Sequence, residues 1–242
     1  TEGGYYDGDK IRFRQGTPEK IGGWTQISTS TFEGVCRSLH NWVTLGGQNL
    51  IGVGTHLKFY ISNVGNYNDV TPIRATVSLS NPFTTVSGSA VVTVTDANGG
   101  YQDGDYVTFS NASAVGGLTI DGEFVVSLSV TTAANSYNIT ASSNATSSAT
   151  GGGTVSAAYQ INVGNPFAVP IEGWGASSWG SGAWNVGESS TTAIRFFSQS
   201  NFGEDLIFGN NGGSIFYWDA TGSVTTRAVL LSTLSGASDV PV

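Results

Sequence analysis

Three places in this sequence set two acidic residues around a glycine: Asp7 and Asp9 in YYDGDK, Asp103 and Asp105 in YQDGDY, and Asp121 and Glu123 in IDGEF. Calcium is held by several hard oxygens arranged around a turn, and acid-Gly-acid is how such a loop begins. None of the three continues into an EF-hand loop with its closing glutamate. Asp-Gly is also the ordinary sequence of a hairpin turn, and the turn is the stronger reading. Beyond that weak Ca²⁺ option at the acid-Gly-acid turns, no cofactor follows from the residues.

Other chemistry finds little footing. The two histidines are His40, beside Trp42, and His56, in the turn GVGTHLKF. Neither lies near a nucleophile-elbow sequence, and both read as structural. A glycosidase needs two carboxylates flanking a sugar, and nothing in the spacing brings two particular acids together. GTPEKIGGW mixes glycine and lysine but lacks the P-loop spacing and the following helix that would cradle a phosphate. The sequence therefore predicts no catalytic residue.

Two features read instead as surfaces. Lys10, Arg12, Arg14 and Lys20 form the sole basic concentration. Lys10, Arg12 and Arg14 alternate with Ile11 and Phe13, so they make either a solvated strand face or a stripe that meets an acidic protein or a DNA backbone. In EGWGASSWGSGAWN, Trp174, Trp179 and Trp184 recur at a spacing that fits neither a helix face nor a strand face. That pattern suggests a glycine-rich loop presenting tryptophans, as at an interface hot spot or a sugar platform.

These residues need elements to hold them, and the sequence predicts strands. KIRFR, HLKFYIS, YVTFS, EFVVSLSV, SYNITA and SIFYWDA alternate or carry β-branched and aromatic runs, and no stretch makes a convincing helix. GTPEKIGGW is expected as a turn, with Pro18 presetting φ, Gly22 and Gly23 permitting positive φ, and Trp24 returning to a core. Charged residues make up only 11% of the 242 residues, well below the roughly 25% of an average soluble domain. Hydrophobic residues at 39% suffice for a core. The net charge of −8 argues against a general nucleic-acid-binding surface, which needs clustered cations to displace counterions. Cys36, the single cysteine, rules out an intrachain disulfide and reads as a small buried hydrophobe. No apolar run is long enough to span a membrane as a helix.

Residues 42–76 and 202–233 repeat one another. Each runs from an aromatic and a polar loop to a strand (Leu50-Ile51, Leu206-Ile207), a turn and an aromatic strand (Leu57 to Tyr60, Ile215 to Trp218). Each then leads to a third short strand, VTPIRA or VTTRA. That is the grammar of a β-propeller blade. Between the copies, short Thr- and Val-rich strands at about ten-residue spacing predict a small sandwich or barrel. The expected fold class is all-β: a partial β-propeller with an inserted β-sandwich or barrel. The expected division is 1–78 propeller-like, 79–164 inserted domain and 165–242 a return to the propeller, with Asn81-Pro82-Phe83 and Asn165-Pro166-Phe167 as hinges. Two blades cannot close a ring of about four to eight, and the chain starts at Thr1, so a fragment of a longer protein is expected.

KIRFRQGTPEKIGGW resembles the N-terminal stretch of virion structural proteins of short-tailed bacteriophages, and NFGEDLIFGNNGGSIFYWD resembles a later segment of them. The central β-rich stretch resembles the domain many of them carry between the two. The resemblance implies a tail nozzle or tail hub component, akin to packaged-DNA stabilisation proteins and located in the virion. It implies a homo-oligomeric ring, a hexamer if the family's pattern holds, joined to other tail or portal-adaptor proteins. DNA would pass through its channel without sequence-specific binding, and no enzymatic activity is implied. A secreted or surface carbohydrate-binding or adhesin module is the alternative, using the same tryptophans.

Overall fold

The computed structural model of the chain describes residues 8–23, 26, 28–97, 100–128, 135–165, 194–237 and 240. Among them the fold is all-β: every strand pairing is antiparallel, and no sheet closes into a barrel. Helical structure among the described residues is limited to a 3-10 turn at Leu231–Thr233.

The chain begins with a hairpin of β1 (Ile11–Arg14) and β2 (Thr17–Lys20). Gln15 and Gly16 both take positive φ, 51° and 79°, the geometry of a type I′ turn whose twist matches the flanking strands. TPEK, expected as a turn, is therefore a strand. Ile21 N donates to Lys10 O at 2.8 Å. Ladder bonds recur every second pair, so Phe13 and Pro18, which face each other, fall between them. The missing N–H of Pro18 then points off the edge, where proline is tolerated in a sheet.

A first four-stranded meander follows: β3 (Cys36–Val43), β4 (Asn49–Thr55), β5 (Phe59–Asn63) and β6 (Asn66–Asp69). VTPIRA, expected to supply the third strand of this unit, instead carries the chain out of it, and β6 completes the sheet. Cys36 at its start is half-buried rather than fully enclosed.

Eight strands then form two sheets on a common core. One sheet has the order β11-β10-β14-β7, from β7 (Ile73–Ser80), β10 (Tyr106–Ser110), β11 (Gly122–Val125) and β14 (Thr154–Gln160). The other has the order β12-β9-β8-β13, from β8 (Phe83–Thr85), β9 (Val91–Thr95), β12 (Ser136–Thr140) and β13 (Ala149–Gly151). Inward residues alternate along each strand, as in Val92 and Val94, Val107 and Phe109, Val155 and Ala157, and all are buried in one cluster. This is a sandwich with open sheet edges rather than a barrel. It includes β7 from Ile73, ahead of the start expected at 79. Ile161 N donates to Pro72 O at 3.0 Å, so the chain enters and leaves the sandwich side by side. Asn81-Pro82-Phe83 is no hinge: Phe83 is fully buried in the sandwich core, and Asn81 N donates to Gly153 O. In the second expected hinge only Asn165 is among the described residues.

The second meander comprises β15 (Phe197–Phe202), β16 (Asp205–Asn210), β17 (Ile215–Trp218) and β18 (Val229–Leu230). It packs face to face on the first. Phe59 and Phe208 stack with centroids 3.8 Å apart, Phe197 meets Phe59 edge-on at 5.1 Å, and Trp42 meets Trp218 edge-on at 6.3 Å. Each such pair adds about 0.5–1.5 kcal/mol beyond its area burial. The sheets approach closely because Gly52 and Gly54 line the inner face of β4. A Cβ on Gly54 would lie 2.8 Å from the Phe197 ring, and one on Gly52 would overlap the Gln199 amide.

Candidate assembly surfaces and the ionic junction

The sequence singled out Arg12, Arg14 and Lys20, and the hairpin register places them. Cross-strand partners share a face, so Arg12 and Arg14 lie with Glu19 and Thr17, whereas Lys20 lies with Ile11, Phe13 and Pro18. The cations thus flank both faces of the hairpin rather than forming one stripe. Arg12 Nε donates to Glu19 Oε2 at 3.2 Å, and Arg14 and Lys20 form no ion pair with a described residue. The apolar residues that alternate with these cations differ in cover. Ile11 is half-buried and Phe13 is 56% exposed. Trp24, Trp174, Trp179 and Trp184 lie outside the described residues.

The acid-Gly-acid turns act as internal acceptors. Asp105 is wholly buried and receives Arg74 at 3.2 Å, Asn162 Nδ2 at 2.5 Å, and the backbone N–H groups of Gln102 and Val163. Asp103 accepts from Leu128 N and Asp121 from Ala112 N. Asp9 sits 3.7 Å from Lys10 at the surface, and Asp7 is outside the described residues. Among the described residues no three His, Cys, Asp or Glu side chains gather in a way that could hold a metal ion.

Glu123 belongs to a cluster that the sequence did not reveal. Lys58, in the turn before β5, is almost fully buried, with its Nζ 2.5 Å from Glu123, 3.4 Å from Glu33 and 3.4 Å from Asp69. It also lies 4.2 Å from the centre of the Tyr106 ring. Arg227 grips Asp69 with both terminal nitrogens at 3.3 Å and approaches Glu123 at 3.6 Å. Gln160 Nε2 donates to Glu123 at 2.5 Å. Burial pulls the Lys58 amine down, but the Glu123 bond and the charges of Asp69, Glu123 and Glu33 outweigh it and leave the pKa raised. Lys58 and Asp69 come from the first meander, Glu123 and Gln160 from the sandwich, and Arg227 from the run into β18. The cluster is therefore the junction of all three units. One signal in the sequence marks it: Lys58 interrupts the apolar run LKFY, where a charge requires a partner.

Three carboxylates converge here, yet the arrangement is that of a clasp. Two cations and an amide consume the carboxylate oxygens, whereas a glycosidase pair leaves one acid free to protonate a leaving group. Among the described residues lining a cleft of about 560 Å³ beside β11 and β12 the one acid is Glu123, already engaged in the junction. The histidines hold loops: His56 Nδ1 accepts from Val35 N at 3.0 Å, and burial followed by the charges of Arg37 and Arg195 lowers its pKa. His40 stacks on Trp42 with centroids 5.8 Å apart.

The remaining surface feature is apolar. On the outer face of the first meander, Leu39 (68%), Val43 and Ile51 are exposed, although the segment carrying Phe32 covers Tyr60 and Tyr67. On the outer face of the second, Phe202 (70%) and Val229 are exposed beside half-buried Ile207, Ile215 and Tyr217. No described helix is long and apolar enough to cross a membrane.

No protein-family model matches the chain, and no curated protein matches it. Among solved structures it is similar to the phage phi92 endosialidase at 17% identity and a TM-score of 0.30, over 88% of this chain. The chain spans about a third, 32%, of that protein's length. At that score the likeness carries no argument about fold or activity.

Proposed function

We propose that the chain is a non-enzymatic structural component of a bacteriophage virion, built into a tail nozzle or hub ring around the DNA exit channel. One observation carries this reading. The two meanders bury their facing sides against each other and leave apolar outer faces, as successive propeller blades do before the next blade is added. Contiguous exposed apolar surface of this kind marks an interaction site. The resemblance of the hairpin and of residues 201–219 to short-tailed phage structural proteins supports the same reading. The engagement of Asp105 and Glu123 by protein donors supports a structural role over calcium or acid catalysis.

Native mass of the full chain, measured by mass photometry at low and moderate salt, tests it. A discrete ring, near six copies if the habit of the resembling family holds, is the expected result. A monomer at every concentration that binds a glycan array overturns it in favour of the carbohydrate-binding alternative.

A further inference from the structure

The faces of the sandwich are covered, but its edges are not treated alike. On one side the chain bonds across the edge: Asn81 N donates to Gly153 O at 2.7 Å and Ser113 N to Gly152 O at 2.8 Å. On the other side β11 ends one sheet and β12 ends the other. There Ser127 and Asn138 form a bridge, exchanging bonds of 2.8 and 2.9 Å. Continuing that register would set Val125 opposite Thr140, but β11 and β12 do not pair. The two strands part, and the cleft of about 560 Å³ opens between them, within the range of about 300–1,000 Å³ typical of ligand sites.

Ladder geometry fixes where the main-chain groups in this cleft point. In an antiparallel pair, residues that bond their partner alternate with residues that turn N–H and C=O the other way. Val126 N donates to Asp105 O, and its carbonyl accepts from Gly104 N, both at 2.8 Å. Phe124 and Gly122 therefore bond β10, whereas Glu123 and Val125 turn away from it. Ala141 N donates to Ala90 O and Asp96 N to Asn135 O, so Tyr137 and Ile139 bond β9 while Asn138 and Thr140 turn outward. Asn138 finds Ser127. On that side no described group bonds the main-chain N–H or C=O of Glu123, Val125 or Thr140. The cleft is thus two unpaired strand edges facing one another, the form that accepts an added strand.

Its chemistry narrows the occupant. Among the described lining residues the one charged side chain is Glu123, and both its oxygens are taken, by Lys58 Nζ and Gln160 Nε2. Phe124 and Ala141 line the cleft and pack on the sandwich core. An uncharged segment with a small apolar side chain directed between those two fits. A strand seated between two edges is bonded on both sides, so it comes from a segment that belongs to no sheet. Every described strand of this chain already lies in one.

We infer that the β11–β12 cleft captures an extended, uncharged peptide segment of a partner protein as an added strand. That strand exchanges main-chain bonds with Glu123 and Val125 on one side and with Thr140 on the other. Ser127 and Asn138 bridge in the antiparallel sense, so the added strand runs antiparallel to one edge and parallel to the other. β11 offers the longer free edge and takes the antiparallel pairing, which is the more stable of the two. The inference does not depend on the ring reading, since the cleft belongs to the sandwich alone.

The test is binding of a fluorescein-labelled, end-blocked Thr-Val-Thr-Val-Thr peptide to the full chain, read by anisotropy. Saturable binding is expected. N-methylation of the two valine amides removes main-chain donors and keeps every side chain, and should weaken binding by about tenfold or more. Val125→Pro deletes an N–H that the β10 ladder does not use, a position at which an edge strand tolerates proline. It should weaken binding as much, with thermal unfolding unchanged, and Thr140→Pro repeats the test from β12. The N-methylated peptide keeps the inference testable should either variant fail to fold. Absence of saturable binding overturns the inference and leaves the ring reading standing. Binding that neither N-methylation nor Val125→Pro alters also overturns it, because side chains alone then hold the peptide. A neutral oligosaccharide that binds the wild-type chain but not Val125→Pro, with the peptide unbound, overturns it and assigns the cleft to a glycan. An oligomer of the chain that the peptide dissolves overturns the partner assignment, because a second copy then fills the cleft.

Discussion

The sandwich and the meander pair solve the same packing problem with different completeness. In the sandwich each sheet has a partner, and its core is largely aliphatic, with Val92, Val94, Val107, Ile139 and Val155 around Phe83 and Phe109. A polar network inside it is closed: Tyr137 and Tyr159 share a hydrogen bond at 2.7 Å, and Tyr159 donates to Asp96 at 2.7 Å. The meander pair has an aromatic core of Trp42, Phe59, Phe197, Phe208, Phe216 and Trp218, but each of its sheets keeps an apolar outer face in water. A sheet needs cover on every apolar face, and the meander pair is covered on its inner faces and only in part outside them, where the segment carrying Phe32 lies over Tyr60 and Tyr67. The sandwich is a finished unit and the meander pair is an unfinished one, which is why the exposed apolar residues Leu39, Val43, Ile51, Phe202 and Val229 lie on the latter.

The largest effect is expected from emptying the aromatic core. Phe59→Ala removes the stack on Phe208 and should cost about 3–5 kcal/mol by denaturant unfolding. Hydrogen exchange should show β4, β5 and β16 losing protection while β9, β10 and β14 keep theirs. Uniform loss across both regions would mean that the sandwich depends on the meanders, contrary to the comparison.

Next comes the junction. Lys58→Met leaves Glu33, Asp69 and Glu123 facing one another with Arg227 alone to balance them, at about 3 kcal/mol. Glu123→Gln is milder, because Asp69 and Glu33 still pair with Lys58. If the two variants cost the same, the cluster is not organised around the lysine.

Within the sandwich, Tyr159→Phe removes the donor to Asp96 and the link to Tyr137, at about 1–3 kcal/mol. Self-association should be untouched, since this network lies away from the outer faces of the meanders. A change in native mass would show that the sandwich participates in assembly.

The smallest effect is confined to alkaline solution. The folded-state pKa values of Lys58 and Tyr60 are both raised, Tyr60 to about 12 mainly by burial, and burial likewise raises Tyr137 and Tyr159. A raised pKa means that the folded state keeps protons the unfolded chain has released. The contribution is full below about pH 10, the unfolded values of tyrosine and lysine, and is lost as pH rises through the folded ones. Thermal unfolding should therefore be level from pH 7 to 9 and fall above about 10. A fall already at pH 8 would place its cause in other groups.

Some of this was legible in the chain alone. The aligned pairs Leu50-Ile51 and Leu206-Ile207 do occupy equivalent strands, β4 and β16, because β-branched and aromatic runs report local burial directly. Two first strands escaped notice. In β3, Ser38, His40 and Trp42 point inward while Leu39 and Val43 point out, and in β15 Gln199 points inward beside Phe197. Alternation of polar and apolar residues vanishes when a sheet is apolar on its outer face and buries polar groups on its inner one. TPEK read as a turn because proline and glycine dominate local signals, although the ladder register tolerates Pro18.

The sequence by itself determined the all-β class, the repeated meander and the central β-rich insertion, since strand period and turn chemistry act over a few residues. Tertiary structure alone decided that Glu123 would serve Lys58 and Arg227 rather than a metal, and that Lys20 would lie across the hairpin from Arg12 and Arg14. Those placements depend on register and on contacts between distant segments, such as Asp69 with Arg227 and Lys58 with Glu123. Spacing along the chain does not encode the distance between such residues in space; the packing of one sheet on another does.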